Sequence, residues 1–337
     1  MKTIAYSTNR LSWVAGIVIA LCPVAFLKAE GQLIHSDVLG NPPLCEASGA
    51  TWFPAQPDLV AVVDNEVHDR IFLFQTVDER LVFVGELPLP AQHRPRDLEA
   101  IAIDGEQLVL VGSHSENSRG EYKEKRHRIR WLAMDDSWGL HERQYRDRGA
   151  IDRTAGSHLD LCIDGYFSGR RDVRHVAFCE ALVGDQGGGG VNIEGAVMTE
   201  VDGRREFWLG LREPIIEEGA FILRHSMDAG LHSAVSVSVI DLEGEGIREM
   251  VQGSGGLWLI SGPVDDAEQS FSLWFIPSDQ VGEVIQPQRI YSDLPSGSEG
   301  LVVGNERAWV MIDGEEGEDE SSCARPSRYI AIELPAM

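Results

Sequence analysis

Three features of the chain point to an all-β propeller. Sustained helical periodicity is missing over most of its 337 residues, and short runs of Val, Ile, Leu, Phe and Trp alternate with Gly, Asp, Asn and Pro clusters. A segment headed by a charged residue recurs about every fifty residues, the spacing of propeller blades. A hairpin dipeptide sits near the middle of four of the five copies.

The chain opens on a targeting pattern. Lys2 and Arg10 precede the apolar run "LSWVAGIVIALCPVAFL", and Ala29 ends a small-residue cleavage point. Residues 1–29 therefore read as a signal peptide and 30–337 as a single exported domain, periplasmic or extracellular. The apolar run is short for a membrane span and no second one follows, so no stable span is expected after signal removal.

Export gives the cysteines a disulfide role. Cys22 leaves with the leader, and Cys45, Cys162, Cys179 and Cys323 remain in an oxidising compartment. Of the three pairings, Cys162–Cys179 and Cys45–Cys323 are preferred, the first because it is local and the second because it joins the two ends of the domain. No CxxC spacing supports a thiolate zinc site. The net charge of −25 becomes −28 once Lys2, Arg10 and Lys28 are removed. Such acidity argues against nucleic acid and anionic membranes as partners. A monomer is expected.

The repeat is clearest in "EAIAIDGEQLVLVGS" (99–113), "REMVQGSGGLWLISG" (248–262) and "EGLVVGNERAWVMID" (299–313), which align without gaps. Units headed by Glu46 and Glu194 fit with a longer central turn. Asp104-Gly105, Asp202-Gly203, Gly255-Gly256 and Gly304-Asn305 supply the hairpin turns. Further strands follow the heads, such as "RIFLFQTV" and "LVFVGELPL" in the first unit. The last unit is one strand short, and the mature N-terminus "GQLIHSDVL" is placed to complete it and close the ring. The interval between the second and third heads is nearly double the others. It holds either an irregular insertion at about 148–190 or a degenerate sixth blade; five clear blades is the preferred count.

In a propeller, the first strand of each blade lines a central channel and the second runs back beside it. That geometry gathers Glu46, Glu99, Glu194 and Glu299 at one mouth, with Arg248 in the equivalent slot of its unit. The second strands bring Asp64, His114, Arg212 and Asp313 to the same end. Like charges at such a spacing need protons, arginines or a metal to neutralise them.

Three readings stay open. In the first, Glu46, Glu99, Glu194 and Glu299, with Asp64 and Asp313, ligate a hard divalent cation such as calcium. The cation then serves hydrolysis of an ester, lactone or phosphoester, with Arg212 orienting an anionic substrate and His114 moving a proton. In the second, Arg212 or Arg248 grips an anionic ligand and no bond breaks. In the third the ring is purely structural. No GxSxG elbow supports a serine hydrolase. "RGEYKEKRHRIR" (119–130) is a basic island in an acidic chain, read as a solvated loop with anion docking as the weaker option.

Together, "CEASGA", "DLEAIA", "GSHS", "NIEGA", "LGLREP" and "GSEGL" resemble the bacterial family called domain of unknown function 3616. The resemblance runs from about residue 44 to 335. It implies a propeller and carries no established activity. The heads alone are similar to those of esterase-like phytase and gluconolactonase-type propellers, which implies metal-binding glutamates at the mouth.

Overall fold

A computed structural model describes residues 31–53, 56–89, 91, 94–105, 107–117, 119–133, 173–184, 191–227, 234–265, 271–280, 284–317 and 323–335. The expected signal peptide, Cys162 and most of the insertion expected at 148–190 lie outside them.

The first strand, β1 (Gln32–Val38), belongs to the last blade. Blade 1 follows as β2 (Ala47–Phe53), β3 (Gln56–Asp64), β4 (Arg70–Val77) and β5 (Arg80–Pro88). Blade 2 shows three strands among the described residues: β6 (Leu98–Asp104), β7 (Gln107–Gly112) and β8 (Ile129–Ala133). Helix α1 (Val173–Gly184) precedes blade 3, which is β9 (Asn192–Val201), β10 (Arg204–Ile216), β11 (Gly219–Ser226) and β12 (Ala234–Ile240). Blade 4 contains β13 (Gly246–Gly253), β14 (Gly256–Gly262) and β15 (Phe271–Pro277). The short β16 (Val284–Ile285) then crosses to pair in parallel with β12, and β17 (Gln288–Leu294) completes blade 4. Blade 5 is β18 (Ser298–Val303) and β19 (Arg307–Ile312), with β20 (Glu315–Glu316) and β21 (Cys323–Arg325) as a small outlying hairpin. It is finished by β22 (Arg328–Glu333) and, antiparallel to it, β1.

The inner strands touch in the cycle β2, β6, β9, β13, β18 and back to β2. Five blades therefore close the ring, and the sixth-blade alternative has no place in it. Each adjacent pair of blades encloses its own apolar core. Trp131 and Phe207 meet edge to face between blades 2 and 3, their centroids 5.3 Å apart, and Trp258 and Leu301 lie in the core between blades 4 and 5. Helix α1 is an insertion rather than a blade element: it packs on β10 and β12 and sends Phe178 into the core between blades 2 and 3.

The hairpin dipeptides act as the sequence requires. Gly105 (φ 60°) and Gly203 (φ 73°) occupy left-handed backbone that a side chain disfavours. Gly304 does not adopt a positive φ. A four-residue turn from Gly304 to Arg307 is closed instead by the Gly304 N–H donating to the Arg307 carbonyl at 2.7 Å.

Ring closure is reinforced beside the β1–β22 seam. Cys45 and Cys323 form a disulfide across 278 residues of sequence, as the pairing of the two ends predicts. The Ser327 N–H donates to the Leu44 carbonyl at 2.8 Å, and the Ser327 hydroxyl accepts the Ala47 N–H at 3.0 Å. Gly314 lies so close that an added Cβ would sit 2.4 Å from the Cys45 carbonyl oxygen and 2.2 Å from that of Arg325. Cys179, on α1, is disulfide-bonded as well.

A bond that closes so long a loop constrains the unfolded chain. Replacing Cys45 and Cys323 together by serine is expected to lower unfolding stability by about 2–5 kcal/mol, read as a lower denaturant midpoint. An unchanged midpoint would show that the strand pairing alone holds the ring.

Candidate functional site

Each inner strand carries a β-bulge near the same level, where one extra residue interrupts the ladder and turns a side chain out of register. The bulges fall at Glu99 in β6, Glu194 in β9, Arg248 in β13 and Glu299 in β18. These are the blade heads of the sequence repeat, so the bulge is the device that aims them into the channel mouth.

Blade 1 departs from this register. Its bulge spans Ser48 and Gly49, between Ala47 and Ala50. Trp52 pairs with Val60 as Ala102 pairs with Val109, and counting back three residues from Trp52 reaches Gly49. Glu46 is therefore ahead of the head position, before β2 begins. The repeat could not reveal this, because an extra residue within a strand and a longer turn give the same spacing. Glu46 still reaches the shared mouth, where its charge raises the Asp313 pKa.

Arg248 organises the centre of the mouth. Its Nη1 donates to Glu194 Oε2 at 3.0 Å and to Glu299 Oε1 at 3.0 Å, and its Nη2 donates to the Pro263 carbonyl at 2.8 Å. The guanidinium also lies 5.2 Å from the centre of the Phe271 ring. Arg212 donates from Nη1 to Glu194 Oε1 at 3.1 Å and from Nε to the Val264 carbonyl at 2.8 Å. Asn192 adds a third donor to Glu194 at 3.1 Å. Glu194 and the Arg248 side chain are only 5% and 4% exposed. Both arginines are thus engaged by carboxylates and main-chain carbonyls, and Glu194 is wrapped by guanidinium and amide donors.

Among the described residues, Glu99 and Asp313 are crowded without that relief. Glu99 keeps part of its surface exposed yet is enclosed by protein. Burial first, then the charges of Asp97, Glu194, Glu299 and Asp313, push its pKa well above the ordinary carboxylate range. Asp313 is raised to about 9, by burial and then by Glu299, Glu46 and Asp64, although its Oδ1 accepts the Gly314 N–H at 2.9 Å. Asp97 is raised by burial against the opposing pull of Ser113 and Arg126.

Asp64 has a structural duty at the same place. It is fully buried, its Oδ2 accepts the Glu46 N–H at 3.1 Å, and its Oδ1 accepts the N–H groups of Glu66 and Val67 at 3.1 and 3.0 Å. His114 belongs to the long β7–β8 connection. Its N–H donates to the Arg126 carbonyl at 3.1 Å, and its ring centre is 5.4 Å from that of His127.

Two carboxylates were not visible as site residues in the sequence. Asp97 stands at φ 56° just before β6, a conformation that Asp tolerates better than most residues. Glu249 is hidden beside the aligned head Arg248. It is fully buried, its Oε2 accepts the Ala50 N–H at 3.0 Å and its Oε1 accepts the Met250 N–H at 2.8 Å. Blades 4 and 1 are not neighbours in the ring, so this side chain bridges the channel just below the heads. Burial pushes its pKa well up, against the two main-chain donors. Farther along the inner strands is a cavity of about 270 Å³ lined by Trp52, Ile101, Met198 and Met250.

No protein-family model matches the chain, and none of the curated proteins does. Solved structures similar to it include an alpha-L-arabinofuranosidase from Clostridium thermocellum, with TM-score 0.46 and 11% identity over 84% of this chain and 87% of that one. A glutaminyl cyclase from Myxococcus xanthus gives TM-score 0.40 and 10% identity over 90% and 97%. A gluconolactonase from Xanthomonas campestris gives 0.41 and 11% over 91% and 95%. At that distance the likeness transfers no activity to this chain.

Truncating Arg248 leaves two carboxylates at a buried site without their shared partner, a loss of about 3–5 kcal/mol for buried pairs of this kind. Arg248→Met should therefore lower the denaturant midpoint strongly, whereas a change under about 1 kcal/mol would place the pair in the class of solvated ion pairs. Asp313 gives an opposite, pH-dependent effect. A carboxyl whose folded pKa is raised above its unfolded value stabilises the fold least at high pH, because stability is lost as pH rises from the unfolded pKa through about 9. Asp313→Asn should flatten the decline in melting temperature between pH 4 and pH 9 and raise the melting temperature at pH 8. An unaltered pH profile would sink this assignment.

Proposed function

We propose that this chain is an exported five-bladed propeller whose channel mouth binds a hard divalent cation, calcium foremost, and hydrolyses an ester, lactone or phosphoester there. The observation that carries the proposal is the convergence of Glu46, Glu99, Glu299 and Asp313 at one mouth, where Arg248 bonds Glu299 through one oxygen while burial and then neighbouring charge hold Glu99 and Asp313 above the ordinary carboxylate range. Acids held protonated by burial and then by one another are a reservoir of cation affinity: a bound cation displaces the protons and turns the repulsion into attraction. The donor set is all oxygen, which suits calcium or magnesium over softer metals.

Among the described residues, no three His, Cys, Asp or Glu side chains already stand together as a metal site. Binding would therefore draw the carboxylates inward by side-chain rotation as their protons leave. Glu46, Glu99, Glu299 and Asp313 would hold the cation, with Asp64 keeping the β3–β4 turn in place behind them. Glu194 remains paired with Arg212 and Arg248 and forms a fixed wall. A bound cation supplies Lewis acidity toward a carbonyl or phosphoryl oxygen. Whichever of Glu99 and Asp313 stays off the cation would keep its proton and donate it to a leaving oxygen at the mouth.

A second reading, a non-catalytic binding propeller, draws on the same charges. With both arginines engaged and protonated acids on offer, the mouth favours a cationic or hydrogen-bond-accepting ligand over an anionic one. Export and the paired cysteines belong to both readings, since a disulfide is compatible with an oxidising compartment.

A thermal-shift series with EDTA, calcium, magnesium and manganese tests the cation. Saturating calcium should raise the melting temperature, by about 2.7 kcal/mol of stabilisation at one hundred times Kd, and more at pH 8 than at pH 5. No shift with any metal would end the metal-dependent reading. A panel of lactones, aryl esters and phosphate esters then separates the two readings, since calcium binding without turnover of any of them would leave a binding module.

A further inference from the structure

A cleft of about 600 Å³ opens between blades 1 and 2 beside the channel mouth, a volume suited to a small organic molecule. Its walls are the turn after β3, the segment Arg96–Asp97 ahead of β6, and the β7–β8 connection that carries the basic island. Main-chain bonds lock the second and third of these walls together. The Arg96 N–H donates to the Lys125 carbonyl at 3.0 Å, the Ser113 N–H to Asp97 at 2.9 Å and the Gly112 N–H to Arg128 at 2.9 Å. Asp97 and His114 hold left-handed backbone, φ 56° and 59°, without being glycine. Such strain persists where surrounding structure over-determines it, and it concentrates at ligand sites.

The charges in the cleft divide into engaged and available groups. Arg126 pairs with Asp97, Arg128 with Glu124 and Lys123 with Glu121. Arg96 and Lys125 both line the cleft and form no ion pair among the described residues. Their backbones are bonded to each other, so both available cations spring from one wall of the cleft on a chain of net charge −25. Beside them Tyr122 lies against His127, the ring centres 4.3 Å apart and tilted by 31°, which offers a flat face to a ligand body. Asp97 borders the cleft and also belongs to the acid cluster around Glu99, so the far end of the cleft meets the mouth.

We propose that this cleft binds a small organic oxyanion, its phosphate or carboxylate group held by Arg96 and Lys125, its body against Tyr122 and its other end toward Asp97. A guanidinium beside an ammonium matches an oxyanion with charge-assisted hydrogen bonds. The reading does not rest on a cation in the channel. It moves anion recognition from Arg212 and Arg248, which are engaged, to a pair supplied by the basic island.

Calorimetric titration of the full chain in EDTA with phenyl phosphate and, separately, benzoate tests the site. The two probes share a flat body and differ only in headgroup. At least one should bind saturably, and preferential binding of phenyl phosphate or of benzoate assigns a phosphoryl or a carboxylate ligand. The R96Q/K125Q double variant should weaken that binding by about tenfold or more, while the conservative R96K/K125R pair restores it. Arg328→Gln, which removes an exposed cation on β22, should leave it unchanged. Both mutated side chains are exposed, so folding is expected to survive, and circular dichroism checks it. Binding of neither probe, equal binding by wild type and R96Q/K125Q, or an equal loss in Arg328→Gln would overturn the proposal.

Discussion

The Arg248 guanidinium is the charge on which the channel mouth depends. It stands in blade 4 and bonds to Glu194 of blade 3 and Glu299 of blade 5, so one side chain links three blades at the narrow end of their inner strands. A guanidinium can do this because its donors form a rigid planar fork, whereas an ammonium would act as a point charge. Once Glu194 and half of Glu299 are neutralised in this way, Glu99 and Asp313 have no cation of comparable closeness among the described residues, and burial drives them toward the protonated state. The unusual acidity of the mouth is thus what remains after Arg248 has been shared.

The bulges explain how the charges come to face inward. A regular strand would alternate its side chains between the two faces of the blade. One additional residue at the head of each inner strand breaks that alternation and directs a charged group along the channel. The same interruption releases main-chain donors, and Glu249 answers one of them by reaching across the channel to Ala50. A buried carboxyl there accepts two N–H groups and separates the polar mouth from the apolar cavity beyond.

Charge is also segregated over a short distance. The chain is strongly acidic, and its channel mouth concentrates that acidity. Yet the β7–β8 connection, folded over the adjacent cleft, presents available basic groups. The two regions share Asp97, which is held by Arg126 on the cleft side and repels Glu99 on the channel side. A ligand that is anionic at one end and reactive or polar at the other would match this polarity. The proximity of the two regions is a consequence of blade order, since the mouth gathers the heads of all five blades and the cleft lies between blades 1 and 2.

Much of the architecture was legible in residue order. Apolar alternation, the Asp-Gly turns, the fifty-residue recurrence and the missing strand of the last unit led to a propeller closed by its N-terminus, and the Cys45–Cys323 pair followed from joining the two ends. These signals are local or periodic, and turn chemistry and side-chain alternation need no partner to be recognised. The sequence by itself also placed Glu99, Glu194, Arg248 and Glu299 as equivalents. It did not disclose that Glu46 lies outside that register, that Glu249 crosses the channel, or that Arg212 and Arg248 are engaged by Glu194 and Glu299. Those facts belong to the tertiary structure alone, because charge pairing is decided by distances between side chains one or more blades apart, and a single bulge residue changes which of them meet.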